Sequence, residues 1–77
     1  MRNALDDKEK AALHVLWHYG DPRGEEPGGF VRKLLEAWAS ADRENYLRLY
    51  EAFPAYGEAL NHVDRHGVGS LANRWKR

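Results

Sequence analysis

The chain has 77 residues, with twelve basic and twelve acidic side chains that cancel, which argues against a nucleic-acid binder relying on broad phosphate attraction. With no cysteine, neither a disulfide framework nor a thiolate zinc site can supplement the core, and a cytoplasmic protein is expected. The length allows one domain that buries about 60% of the surface its unfolded chain exposes, no apolar run is long enough to span a membrane, and the opening residues hold no apolar signal core.

In chain order, the first helix is expected to begin at Asp6, since Asp6 and Glu9 stand three apart as in a capping box and Asp7 adds negative charge to the first turn. Ala12, Leu13, Leu16 and Trp17 form its apolar side. It should end near Tyr19, where Gly20 can take the left-handed conformation that closes a helix. Residues 21–29, DPRGEEPGG, hold two prolines, three glycines and four charges, a composition that reads as a solvent-exposed connector unable to join a packed core. Either Pro27 takes the first position of the next helix or Gly29 caps it.

Residues 30–54, FVRKLLEAWASADRENYLRLYEAFP, read as the stretch around which the rest is organised. Phe30, Leu34, Ala37, Trp38 and Ala41 recur at the spacing of one helix face, with Val31 and Leu35 off that stripe. After Asp42, an N-cap candidate, Tyr46, Leu49, Tyr50 and Phe53 repeat the pattern, and Glu44 suits the positive end of the helix dipole. Pro54 stops this third helix near Phe53. A connection of at most two residues between the second and third helices makes a tight corner or hairpin.

Pro54 also fits the first position of a fourth helix, whose stripe is Tyr56, Ala59, Leu60 and Val63, with Gly57 weakening it slightly. Gly67 is its natural stop, and Gly67-Val68-Gly69 reads as a hinge before Ser70, a cap for a last turn carrying Leu71 and Trp75. The organisation expected is thus a helical domain over residues 1–67 and a basic tail or short helix over 68–77. Arg74, Lys76 and Arg77 give this tail a charge of +3 on a body of −3.

Gly28-Gly29-Phe30, Leu34, Ala41-Asp42, Asn45, Arg48-Leu49 and Phe53-Pro54, with the opening from Asp7 to Leu13, resemble a group of short orphan proteins encoded by bacteriophages of actinobacteria. The resemblance covers about residues 7–60 and rests on helix-boundary and core positions, so it carries no catalytic residue across. What it implies is context: an accessory product made in a bacterial host, from a class in which binding and redirecting a host protein is a common role.

No motif here requires a catalytic residue, cofactor or metal. His14 and His18, and His62 and His66, are each one helical turn apart, a spacing that can chelate zinc between the first and fourth helices but more often bridges core and solvent. Gly28-Gly29 lacks the lysine and hydroxyl of a phosphate loop, and Glu25-Glu26 lies where nothing raises a carboxyl pKa. Helices with apolar residues on more than one side lie centrally or contact another chain, and Leu47 gives the third helix such a second side.

The expected fold is therefore all-α, a single small bundle of four helices with or without a short fifth. Its core comes from Leu13, Leu16, Trp17, Phe30, Leu34, Trp38, Leu49, Tyr50, Phe53, Leu60 and Val63. The expected function is non-enzymatic: a homo-oligomer that binds a host protein through Trp38, Tyr46, Leu47, Arg74 and Trp75, since aromatic side chains dominate interface energetics. The alternative is a small DNA-binding regulator that uses the basic tail.

Overall fold

The chain breaks where capping residues tell it to, and five helices result: α1 (Ala4–His18), α2 (Gly29–Ala39), α3 (Arg43–Ala52), α4 (Pro54–His66) and α5 (Val68–Arg74). The computed structural model describes residues 4–74, with side chains from 8 to 73. Among the described residues there is no strand. The fold is an all-helical small bundle, and the tail supplies its short fifth helix.

Gly20, at φ 81°, closes α1. Its N–H donates to the Trp17 carbonyl at 2.9 Å while that of Asp21 donates to the Leu16 carbonyl at 3.0 Å, the paired bonds of a Schellman closure. The start of α1 differs from expectation. The helix begins at Ala4, because Ala4 and Leu5 are themselves good helix formers, so Asp6 lies inside it; the Asp6 and Asp7 side chains lie outside the described ones. Gly28 caps α2, in place of either expected alternative. Ser40, Ala41 and Asp42 make the corner to α3, one residue more than expected, with the Ser40 hydroxyl donating to the carbonyls of Glu36 and Ala37. Asp42 Oδ1 then accepts the Asn45 N–H at 2.9 Å, as an N-cap should.

Phe53 alone separates α3 from α4, with Pro54 at the first position of α4. Gly67 alone, at φ 90°, separates α4 from α5. The expected three-residue hinge is therefore a single glycine, and Ser70 is inside α5. A radius of gyration of 11.7 Å matches the roughly 11.5 Å of a compact domain this long, with α5 docked on α1 and α4. Leu71, 1% exposed, and Ala72, 4%, anchor it in the core that residues 4–67 also build.

The centre of that core is α1, not residues 30–54. Ala11, Ala12, Leu13, Val15 and Leu16 are all buried and sweep an arc of about 200° around the helix at 100° per residue. Such a helix must be covered on more than half its circumference, and α4, α5 and α2 cover it. The stripe of α2 is also rotated from the expected one. Leu34, Leu35 and Trp38 are buried with Val31 packed against them, an i, i+3, i+4, i+7 set that excludes Phe30. Phe30 is 69% exposed and meets only the Phe53 ring at 6.0 Å among aromatic neighbours. Of the other expected core residues, Trp17, Leu49, Tyr50, Phe53 and Val63 are half-buried.

Residues 21–28 are mostly exposed, as their composition suggests, yet the connector also lies close against α1. Gly24 lies on the backbone of α1, where a Cβ would meet the Trp17 backbone and the Leu13 carbonyl oxygen at 2.8 Å. Glu25 N–H donates to that same Leu13 carbonyl at 3.0 Å, and Pro27 is buried. Asp21 holds the turn by accepting from the Arg23 N–H and guanidinium, and Arg32 sits 5.7 Å above the Trp17 ring in a cation–π contact. Glycine lets the loop approach a helix that a side chain would hold off.

A second glycine has the same use at the α3–α4 contact. A Cβ on Gly57 would come within 2.7 Å of the Tyr50 ring. Gly57→Ala should therefore lower stability in urea denaturation by about 1–3 kcal/mol through overpacking, and should do less harm in a Tyr50→Ala background, where the obstructing ring is gone. In the core, Leu35→Ala should cost about 2–5 kcal/mol, whereas Phe30→Ala should stay within about 1 kcal/mol. Equal losses at positions 30 and 35 would restore the original stripe.

Candidate functional site

Four elements converge on a cleft of about 250 Å³ beside Trp38 and Tyr46. His18 and Tyr19 border it from the end of α1, Leu35, Trp38 and Ala39 from the end of α2, Tyr46 from the first turns of α3, and Leu60 and Asp64 from the second half of α4. Each arrives there for a local reason: the Schellman closure ends α1 at this point, the Ser40 turn ends α2, and the Asp42 cap starts α3.

The polar groups in this cleft are under-partnered. The Trp38 indole Nε1 and the Tyr46 hydroxyl are both buried, and neither has a hydrogen-bond partner among the described residues. Their rings meet edge to face, with centroids 5.8 Å apart, an arrangement worth about 0.5–1.5 kcal/mol beyond area burial. Burial, and then the Asp64 carboxylate, push the Tyr46 hydroxyl above the usual phenol pKa, with smaller contributions from Tyr19 and Tyr50. The Tyr19 hydroxyl is pushed up by the same two leading causes. Both phenols stay protonated at neutral pH and remain hydrogen-bond donors.

Of the binding residues expected from sequence, the structure brings Trp38 and Tyr46 together. Trp38 is 2% exposed and cannot serve as a contact surface; it lies on the core face of α2 in the expected stripe and in the observed one alike. Tyr46 is half-buried beside it, while Leu47 is 51% exposed on α3. The Arg74 side chain and Trp75 lie outside the described residues, as do Lys76 and Arg77. Sequence reasoning missed Phe30 as a surface residue, and Tyr19, His18 and Asp64 as neighbours of Tyr46. Aromatic type flagged Tyr19, but nothing local links it to position 46 or 64.

The histidines divide differently from their spacing. His14 Nδ1 lies 2.7 Å from the Tyr56 hydroxyl, with the rings stacked at 5.9 Å. His62 Nε2 lies 3.0 Å from the Ser70 hydroxyl, tying α4 to α5, and the His62 and His66 rings are 4.9 Å apart. Among the described residues no three His, Asp or Glu side chains gather as a metal would need. Glu25 and Glu26 are exposed, and Glu26 reaches Arg32 at 3.5 Å. Glu44 and Arg48 form an exposed ion pair at 2.9 Å one turn apart on α3. A second, shallow groove of about 370 Å³ runs along Ala37, Ala41, Arg48 and Leu49.

Comparison of the chain with protein-family models, with curated proteins and with solved structures finds no match.

Burial lowers the His14 pKa from 6.5, against the pull of Glu25 and with that of Lys10. The unfolded chain therefore takes up this proton at a higher pH than the folded one. The stability His14 contributes is complete above the unfolded value and is lost as pH falls through it towards the lower folded value. Melting temperature should drop between about pH 7.5 and about pH 5.5, and His14→Gln, which keeps a polar partner for Tyr56, should flatten that slope. Identical slopes in both proteins would remove His14 as the cause.

Proposed function

We propose that this protein works by contact, as a non-enzymatic accessory protein of the phage-encoded kind its residues resemble, binding a host protein in the bacterial cytoplasm while self-associated as a homo-oligomer. The observation that carries the reading is the state of α3: none of its residues is buried, although Tyr46, Leu49, Tyr50 and Phe53 are packed against the core. Leu47 on α3 is 51% exposed, and Phe30 on α2 is 69% exposed. Apolar area left in water forgoes about 25 cal/mol per Å², so a partner that covers these side chains gains directly. Among the described residues no helix is long and apolar enough to cross a membrane, which is compatible with this.

The alternative, a regulator that grips DNA through Arg74, Lys76 and Arg77, draws support only from their charge. It predicts duplex affinity that falls steeply with salt.

A Phe30→Glu, Leu47→Glu double variant provides the test. It should keep its helical circular-dichroism spectrum, shift to monomer mass in light scattering, and retain at most about a tenth of the capture of the host protein pulled down by the parent chain. Unchanged mass and unchanged capture in a folded variant would overturn the proposal, and salt-dependent duplex binding by both proteins would favour the alternative.

A further inference from the structure

One row of side chains on α3 has no use inside the chain. Arg43, Leu47 and Glu51 follow one another at intervals of four residues, so they form a single inclined row on the helix surface, successive members about 6 Å apart along the axis. All three are exposed, Leu47 to 51%. At 100° per residue the row runs beside the stripe of Tyr46, Tyr50 and Phe53, which packs against the core. It is therefore an apolar position with a cation one turn before it and an anion one turn after it, on a helix of which no residue is buried.

The other charged pair on α3 is satisfied within the chain, since Glu44 and Arg48 meet at 2.9 Å. Arg43 and Glu51 make no ion pair among the described residues. Read along the helix, the row is plus, apolar, minus, with Leu47 at its midpoint; read from the other end, it is minus, apolar, plus. A second copy of α3 running antiparallel thus offers each charge its opposite and offers Leu47 another Leu47. Self-matching of this kind is what a two-fold interface between identical chains demands. A parallel pairing in the same register would instead set Arg43 against Arg43 and Glu51 against Glu51. The antiparallel geometry is an ordinary one, because rows of i, i+4 side chains on two helices run alongside each other when the axes cross at about 50°, the commonest class of helix packing.

We propose that α3 pairs antiparallel with α3 of a second copy of this chain, Leu47 meeting Leu47 on the two-fold axis and Arg43 of each copy meeting Glu51 of the other. The inference rests on the homo-oligomeric state proposed above and names its surface, direction and register. The ten residues of α3 span about 15 Å and cover far less than the roughly 1,600 Å² of a standard interface, so the dimer is a weak one that dissociates on dilution. Its ion pairs fix partner and register more than they add affinity.

Sedimentation equilibrium of the full chain over a concentration series reads the association, for the parent and for two single variants, Arg43→Glu and Glu51→Arg. Both positions are exposed, so each variant should keep its helical circular-dichroism spectrum. Alone, each variant brings like charges together at both contacts of the two-fold pair and should associate about tenfold or more weakly than the parent. Mixed in equal amounts, the two should form a heterodimer at close to the parent's affinity. The reversed charge at 43 of one chain then meets the reversed charge at 51 of the other, and the two native charges meet at the second contact. A mixture that associates no better than its components, or single variants that associate as the parent does, would overturn the antiparallel pairing and leave homo-oligomerisation standing. A parent chain that stays monomeric at every concentration would overturn both.

Discussion

The burial of α1 on more than half its circumference is the constraint from which the rest of the molecule follows. In a chain this short, one helix can be wrapped in that way only if the others come close, and the means is small side chains: Ala11 and Ala12 are 1% and 0% exposed, and Ala59 on the facing α4 is 6% exposed. Alanine brings little apolar area of its own but lets larger neighbours such as Leu16 and Leu35 fill the space between axes at crystal-like density. The connector then has to be short of side-chain bulk where it crosses α1, which Gly24 supplies. The last seven helical residues fold back because the circumference of α1 is still incomplete without Leu71.

Against this centre, α3 is the outlying member. It touches α4 and α2 but is not among the helices packed on α1. Its hold on the rest is aromatic: the Tyr50 ring fits over the bare backbone of Gly57, and Tyr46 sets its edge on Trp38. Elements with few buried contacts sit at the low end of the local-stability range within a domain. An element of that kind can be re-covered by another chain without disturbing the core, which is why its half-covered stripe carries the proposed contact function better than any buried part of the fold.

How much of this could be read beforehand depended on whether the information was local. Asp42 as a cap, Pro54 as a first helical residue, and Gly20 and Gly67 as helix stops are decided by a few neighbouring atoms, and the sequence was enough. The face of α2 was not local. Phe30, Leu34, Ala37, Trp38, Ala41 and Val31, Leu34, Leu35, Trp38 are two overlapping stripes on one helix, sharing positions 34 and 38, and only the path of the chain decides between them. The packed set buries two β- or γ-branched residues in place of one phenylalanine and two alanines, which is why Phe30 turned outward. Composition likewise gave the exposure of most of residues 21–28 but not the close approach at Gly24, because glycine marks a flexible loop and a close approach equally well. The cleft was the least legible feature, since its lining comes from four elements whose sequence neighbourhoods say nothing about one another.

The same topology that completes the core creates the polar defect inside it. A buried donor or acceptor without a partner costs about 1–3 kcal/mol, and among the described residues there are two such atoms, at Trp38 and Tyr46. Packing alone does not ask for them: a phenylalanine at 46 would present the same ring edge with no hydroxyl to desolvate, and an apolar ring at 38 would have no N–H to leave unpaired. Stability considered by itself would remove both groups, yet they lie where α1 and α2 end and next to the unpaired Asp64. The energetic penalty thus arises from the convergence of helix ends that the wrapping of α1 enforces.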